Sequence, residues 1–315
     1  MIIVTGAYGF IGSNLVHALN AAGRHDLWVV DNLSNGRQFA NLADATIGDY
    51  DDWRAFLPRL ASRLARGERF DAVYHLGACA DTVEWDGQKM MSMNFDFSRS
   101  LLDLCDANDI PFIYASSAAV YGLSEHCREI PACERPLNVY GYSKLAFDQH
   151  VRSRQGALRT RVVGLRYFNV YGPRERHKGR MASVVFHFDA QLRESGEVRL
   201  FGASHGRPPG GQERDFIHVD DIVDQTLWAG TECAVSGIFN AGTGCTATFN
   251  DVAEAVLAWH EGRGKITYIP FPDDLLGAYQ YRTCADLERL RGAGYRRQAR
   301  NVATGVKAYL DWLHA

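Results

Sequence analysis

The stretch Met1-Ile-Ile-Val-Thr5-Gly6-Ala7-Tyr8-Gly9-Phe10-Ile11-Gly12-Ser13-Asn14-Leu15-Val16-His17-Ala18-Leu19 decides the fold. It opens on a short apolar run, read as a buried strand of a parallel sheet. From Ile11, apolar side chains recur at 11, 15, 16 and 19, the spacing of one helix face. Three glycines, Gly6, Gly9 and Gly12, lie where strand passes into helix. Glycine permits a tight turn and lets a ligand approach the backbone. The helix N-terminus adds free N–H groups and the positive end of its dipole. Such a turn suits a pyrophosphate. The spacing is Gly-x-x-Gly-x-x-Gly rather than Gly-x-Gly-x-x-Gly, but its position after a first strand points to a dinucleotide site.

Outward from this stretch, strands and helices alternate. Leu27-Trp-Val-Val30 reads as a second strand, with Asp31-Asn32 at its end. An acidic residue about twenty positions after the glycines bonds the adenosine ribose hydroxyls, which favours NAD. Arg37 lies close enough in sequence to offset repulsion of a 2′-phosphate, so NAD and NADP both remain open. A third strand is expected around Thr46-Ile47. Asp49 then either approaches the adenine or is a loop carboxylate. Residues 51–69 read as an amphipathic helix and Phe70–His75 as a strand, followed by the small residues of Leu76-Gly77-Ala78-Cys79. A long helix is expected over Met90–Ala107, with Asn94 near its start, and a strand over Ile110–Tyr114. Later elements are a helix to about Arg154, a strand over Arg161–Arg166 and helices over Met181–Arg193 and up to Thr231. A strand over Gly237–Asn240, a helix over 249–260, a short strand over 265–269 and a helix ending near Leu313 complete the pattern. His205–Gln212 reads as a Pro/Gly-rich surface loop. The alternation predicts an α/β fold: a doubly wound parallel sheet with a smaller mixed α/β lobe. The cofactor domain is expected over 1–168 with 215–241, and the substrate lobe over 169–214 with 242–315.

Composition narrows the function. A net charge of −3 over 315 residues, without a long basic run, argues against nucleic acid as partner. No apolar run reaches the ~20 residues of a membrane helix, and no cleavable leader precedes the glycine turn. A cytoplasmic protein is expected. Seven cysteines, an odd number without Cys-x-x-Cys, argue against a disulfide framework or a zinc site. Eleven histidines include no His-Glu-x-x-His, so the active site is expected to be metal-free.

The chemistry concentrates in Tyr140-Gly-Tyr-Ser-Lys144. On a helix this spacing puts Tyr140 and Lys144 on one face. A phenol accepts a proton near neutrality only if its pKa falls from about 10, and a nearby cation lowers it. Ser117 ends the strand before this helix, where open α/β sheets bind ligands. It is the candidate partner for a substrate hydroxyl, with a helix N-cap as the bland alternative. Arg174, Arg176, Lys178 and Arg180 crowd one short stretch beside His177. They form either a solvated face or a site for a diphosphate. Thr82-Val-Glu-Trp-Asp86 has no explanation in composition.

Taken together, several motifs resemble the extended short-chain dehydrogenase/reductases, a family acting mainly on nucleotide sugars. They are the N-terminal glycines, Asp31-Asn32-Leu33, Ser116-Ser117 before Val120-Tyr121-Gly122, Tyr140-x-x-x-Lys144, Arg166-Tyr-Phe-Asn-Val-Tyr-Gly-Pro173 and Arg214-Asp-Phe-Ile-His-Val-Asp-Asp221. A narrower resemblance lies in Glu84-Trp85-Asp86-Gly87 with Met90-Met91, Pro136 to Lys144, His177-Lys178-Gly179 with Met181-Ala-Ser-Val184, and Ile269-Pro-Phe-Pro272 before Tyr279-Gln280. It is to family members that invert a carbinol carbon, C-6, of an ADP-linked heptose for the lipopolysaccharide core. The resemblance implies Tyr140 and Lys178 as two acid/bases, Ser117 holding the reacting oxygen, and Lys144 on the nicotinamide ribose. For the cofactor it implies Gly6, Gly9, Phe10, Ile11, Gly12, Asp31, Asn32, Gln38, the run His75, Leu76, Gly77, Ala78, Cys79, then Asn94 and Val170. For the substrate it implies Asn169, Arg180, His187, Phe201, Gly202, Ala203, Ser204, Arg214 and Tyr279. A tightly bound NADP, with NAD as alternative, and a homo-oligomer of five subunits are also implied. The chain departs from the pattern at Gln38 and Trp53, which stand where lysines are common, at Arg180, commonly serine, and in a longer 205–212 loop. Rival readings within the family are a 4-epimerase, which needs no Lys178, and a 4,6-dehydratase, which has an acidic pair where Ala118-Ala119 follow Ser117. A rival of another class is a non-catalytic dinucleotide sensor, which has no use for Ser117, Tyr140, Lys144 and Lys178 together.

Overall fold

The computed structural model describes residues 1–124, 126–272 and 279–315. In chain order the first half contains β1 (Ile2–Thr5), α1 (Phe10–Ala21), β2 (Leu27–Asp31), β3 (Asp49–Asp52), α2 (Trp53–Ala65), β4 (Ala72–His75), α3 (Gly87–Met91), α4 (Phe97–Ala107), β5 (Phe112–Ser117), α5 (Val139–Ser153) and β6 (Val162–Tyr167). Then follow β7 (Asn169–Tyr171), α6 (Val184–Ser195), β8 (Glu197–Phe201), β9 (Glu213–Arg214), β10 (Phe216–His218), α7 (Val219–Thr231), β11 (Gly237–Ala241), β12 (Ala247–Thr248), α8 (Phe249–Trp259), β13 (Lys265–Ile269), α9 (Glu288–Gly292) and α10 (Val302–Leu313).

Seven strands form one parallel sheet in the order β11-β6-β5-β4-β1-β2-β3. The apolar runs of β1 and β2 explain their central place, because successive side chains enter opposite cores. Ile2 and Val4 of β1 join Leu15, Val16 and Leu19 of α1 and Trp228 of α7 on one face. Ile3 joins Trp28, Phe56, Leu60, Leu101 and Phe147 on the other. The chain leaves β1 for β2 on one side and returns to β4 on the other. The carboxyl ends of β1 and β4 therefore flank the switch point, where such sheets bind ligands. A further core gathers Val185, Phe188 and Leu192 of α6 with Leu200, Val252, Val256, Val306 and Leu310. Short pairs β7/β10, β9/β12 and β8/β13 accompany it.

Several expected elements move. The third strand is Asp49–Asp52, not Thr46-Ile47: at the sheet edge it is only half-buried and carries no apolar run. Asp49 is committed to ion pairs with Arg59 at 2.6 Å and Arg63 at 3.1 Å, and not to the cleft. The 51–69 helix is confined to Trp53–Ala65, capped by Asp52. The long helix begins at Gly87 and contains a π-helical turn, Ser92–Asp96, between α3 and α4. The helix expected from Met181 starts at Val184, where the Ser183 hydroxyl accepts from the Phe186 N–H. The 205–212 loop is exposed at its tip but ends buried. Gln212 donates to the Gly202 carbonyl at 3.1 Å and to Ser204 Oγ at 2.9 Å, which ties the loop to residues 202–204. Among the described residues, no helix is long and apolar enough to cross a membrane.

Candidate active site

A cleft of about 650 Å³ opens at the switch point, lined by residues of the glycine turn, the ends of β2, β4 and β5, α5, and the loop before α6. Gly6 adopts φ +67°, and a Cβ there would lie 2.7 Å from the Gly77 backbone nitrogen. A Cβ on Gly12 would lie 2.0 Å from the Gly6 carbonyl oxygen. The glycines thus let the turn fold flat between β1 and β4. Gly9 precedes α1 without a side-chain cap, leaving the first-turn amides for a ligand. The Asp31 carboxylate accepts from the Tyr8 N–H at 2.9 Å and the Asn32 N–H at 2.8 Å. Burial raises its pKa, against the pull of these bonds. A dinucleotide fits this cradle by its own features: a flat glycine turn, free amides at a helix start, and an oriented carboxylate beyond them.

Asn138 caps α5 by accepting from the Gly141 N–H at 2.8 Å. From that start Tyr140 and Lys144 fall one turn apart, both lining the cleft with Ser117. The Ser117 hydroxyl lies beside the Tyr140 phenol and acts to lower its pKa. Ser117 also accepts from the Ala119 N–H at 3.1 Å, so it is a cap as well as a site residue. Lys144 donates to the Ala115 carbonyl at 2.9 Å. Burial lowers its pKa to about 8, opposed by the charge of Asp148. Burial raises the Tyr140 phenol, and Ser117 draws it back down.

Lys178 lines the same cleft from the segment between β7 and α6, its Nζ 5.0 Å from the Phe10 ring centroid. Burial lowers its pKa, against the charge of Glu175. That carboxylate organises the Lys178 loop. Fully buried, it accepts from the Ser183 N–H and Oγ, each at 2.6 Å, and from the Gly172 N–H at 3.3 Å. The cation cluster around Lys178 is dispersed. Arg174 turns to Asn14 at 3.2 Å and Arg180 to Asp81 at 3.2 Å, so of the expected cations Lys178 lines the cleft, with His177.

The structure brings Gly6, Gly9, Phe10, Ile11, Gly12, Asp31, Asn32, Gln38, Leu76, Gly77, Ala78, Asn169 and Val170 to the cleft. His75 and Asn94 lie beneath it. His75 bridges Thr5 and Ser98 at 2.7 Å each. Asn94, from the π-helical turn, accepts from the Cys79 N–H at 2.8 Å and donates to the Cys79 carbonyl and Ser143, pinning the loop after β4. The polar atoms of both are spent on partners inside the fold. Cys79 itself is half-buried in that loop.

Phe201, Tyr279 and Arg214 form a separate group. The Arg214 guanidinium lies 4.9 Å from the Tyr279 ring centroid, and Phe201 packs edge-on to Tyr279 at 6.3 Å. Burial lowers the Arg214 pKa, and Tyr279 opposes this. Gln212 holds Gly202 and Ser204 together, with Ala203 exposed between them. His187 is half-buried on α6 beside Phe186. Sequence reasoning missed Thr82 and Thr283, which line the cleft. Thr82 belongs to the stretch that composition left unexplained. Asp148 was also missed, although its spacing from Tyr140 and Lys144 continues the same helix face.

Residues 2–242 match the model of the NAD dependent epimerase/dehydratase family, and the chain belongs to that family. It is 57% identical over 311 residues to an ADP-L-glycero-D-manno-heptose-6-epimerase of Alkalilimnicola ehrlichii, covering 99% of this chain and 97% of that one. Its fold is similar to a crystal structure of the Helicobacter pylori ADP-L-glycero-D-manno-heptose-6-epimerase, with TM-score 0.85 and 31% identity over 100% of this chain and 96% of that one. A UDP-N-acetylglucosamine 4-epimerase from Methanobrevibacter ruminantium is also similar, with TM-score 0.85 and 25% identity over 99% and 97%.

Proposed function

We propose that this chain interconverts ADP-D-glycero-D-manno-heptose and ADP-L-glycero-D-manno-heptose, supplying the heptose precursor of the lipopolysaccharide core. The inverted carbon, C-6, is a carbinol outside the ring and is not acidic, so deprotonation alone cannot invert it. Oxidation to a planar ketone and return of hydride to its opposite face can. A bound nicotinamide supplies the hydride acceptor and donor. Ser117 holds the reacting oxygen beside Tyr140, which exchanges its proton in one epimer. Rotation about the C-5/C-6 bond exposes the other face and points the oxygen elsewhere, so a second proton-transfer group is needed. Lys178 fills that role. A lysine acts as a base only with a lowered pKa, and burial moves Lys178 in that direction. Its presence in the cleft with Tyr140 and Ser117 is the observation that carries the reading. It also favours a 6-epimerase over a 4-epimerase.

Residues 1–168 with 215–241 are assigned to the cofactor, and 169–214 with 242–315 to the substrate. Asn169 and the group of Phe201, Arg214 and Tyr279 would hold the nucleotide sugar. For the cofactor, NADP is proposed with NAD as the alternative: Arg37 is exposed near the end of β2, while three features favour NAD. Asp31 is fixed toward the cleft, Gln38 and Trp53 bring no charge, and Arg54 is paired with Asp52 at 2.7 Å. A pentamer is retained as the assembly.

Incubating the purified protein with ADP-D-glycero-D-manno-heptose, without added cofactor, and following the sugar by NMR tests this reading. Conversion to the L-glycero epimer supports it. Denaturing the sample and identifying the released dinucleotide decides between NAD and NADP. No conversion, even with both cofactors supplied, overturns the heptose assignment.

A further inference from the structure

Three helices of the smaller lobe bring Asp189, His260 and His314 together, although the residues lie far apart in sequence. Asp189 sits in α6, His260 is the C-cap of α8, and His314 is the C-cap of α10. Nε2 of each histidine lies 2.9 Å from the same carboxylate oxygen, Asp189 Oδ1. The three atoms lie within 4.8 Å of one another. We propose that this cluster is a divalent transition-metal site of the zinc class, with Asp189, His260 and His314 as protein ligands.

The argument rests on charge and position. The Asp189 side chain is 2% exposed, so its negative charge needs a counter-charge. The nearest arginine, Arg193, is 3.8 Å from Oδ2 and itself 60% exposed, too distant and too wet to neutralise a buried carboxylate well. The two imidazoles satisfy the oxygen's hydrogen bonding, and a divalent cation held among the three groups would neutralise its charge as well. The ends of α8 and α10 add the negative pole of a helix dipole on the same side, which favours a cation. Two imidazoles and one carboxylate are also a donor set that zinc and its neighbours accept. Zinc bonds of about 2.0–2.1 Å set tetrahedral ligands ~3.3 Å apart. The 2.9 Å approaches need to open by a few tenths of an ångström, and the two imidazole nitrogens, within 4.8 Å of each other, have to draw in around the metal. The histidines, 18% and 24% exposed, leave the outer side of the cluster accessible to water as a remaining ligand. The Trp259 indole stacks on His314 at 4.7 Å and fixes its ring.

The site is structural. It clamps the last turn of α10 to α6 and α8. Tyr309 of α10 in turn lies beside the buried Glu175 that organises the Lys178 loop, and the charge of Glu175 adds to burial in raising the phenol's pKa.

The test uses the full chain, stripped with a chelator and dialysed. Zinc is titrated calorimetrically, with metal content measured after gel filtration and cobalt(II) used as a spectroscopic probe. His314→Ala is the informative variant, because the residue caps α10 from outside the buried core, with a side chain 24% exposed; His260→Ala is the second. The expected result is one zinc per chain at micromolar affinity, a tetrahedral cobalt(II) absorption band, and affinity at least tenfold weaker in either variant. Zinc should also raise the melting temperature of the wild type but not of His314→Ala. Equal zinc binding by wild type and both variants would place the metal elsewhere, for example on the thiols, and overturn the proposal. So would no binding by the wild type below millimolar zinc, which would leave the cluster a hydrogen-bonded clasp.

Discussion

Asp148→Asn probes the buried ground beneath the candidate site. Asp148 is fully buried, accepts from the Tyr114 hydroxyl, the Ser116 hydroxyl and Arg166 Nε at 2.9 Å each, and is ion-paired with Arg166 Nη2 at 2.8 Å. Arg166, also fully buried, pairs with Glu134 as well, and Glu134 pairs with Arg152. The network therefore holds two positive and two negative charges. Asparagine keeps the shape and some of the hydrogen bonds but leaves one positive charge uncompensated. Breaking a buried pair in this way costs about 3–5 kcal/mol. The lower end applies here, because Glu134 still faces Arg166. With an unfolding entropy of roughly 2.1 cal/mol/K per residue, a chain of 315 residues should melt ~5 °C lower.

The same carboxylate opposes the lowering of the Lys144 pKa, which stands at about 8. Without it the Lys144 value falls further, so the ammonium is lost at a lower pH. If the charged form serves catalysis, the alkaline limb of the kcat/KM profile shifts toward neutrality. Calorimetric melting and a pH profile from 6 to 9.5 measure both effects. A variant that melts within 1 °C of the wild type with an unmoved alkaline limb would refute both the charge accounting and the coupling to Lys144.

Tyr140→Phe and Lys178→Met should each slow C-6 inversion by about 10²-fold or more, the range for loss of an acid/base; a Lys178→Met enzyme with normal turnover by NMR would remove lysine from the chemistry. Gly6→Ala adds a Cβ 2.7 Å from the Gly77 backbone in a left-handed conformation, a strain of about 1–2 kcal/mol before any clash, so the purified variant should carry much less dinucleotide, read by absorbance after denaturation. Arg214→Ala should raise KM for the nucleotide sugar more than it lowers kcat, because the side chain lies with Tyr279 and Phe201 and not among the cleft residues around Tyr140; a fall in kcat alone would contradict that placement.

Local pattern made most of the sheet legible. The apolar runs at Ile2–Thr5, Leu27–Asp31 and Val162–Tyr167 are strands because both faces of a central parallel strand are buried, and burial on both faces leaves an apolar run in the sequence. Edge and pairing strands leave no such trace. Asp49–Asp52 is four polar or aromatic residues, and β9, β10 and β12 span only two or three. Tyr140 and Lys144 were readable together because helical periodicity is local. The Lys178 loop is different. Four cations within seven residues looked like one positive surface, and tertiary partners divided them: Asn14 holds Arg174, Asp81 holds Arg180, and the buried Glu175 fixes the loop that delivers Lys178 to the cleft. By itself, the sequence determined the doubly wound sheet, the glycine turn and the tyrosine–lysine helix face, because each is written in residues a few positions apart. Only the tertiary structure decided which charges are buried and with whom, from the Asp148–Arg166–Glu134 network to the meeting of Asp189, His260 and His314. Burial sets the energy of a charge, and burial depends on side chains distant in sequence.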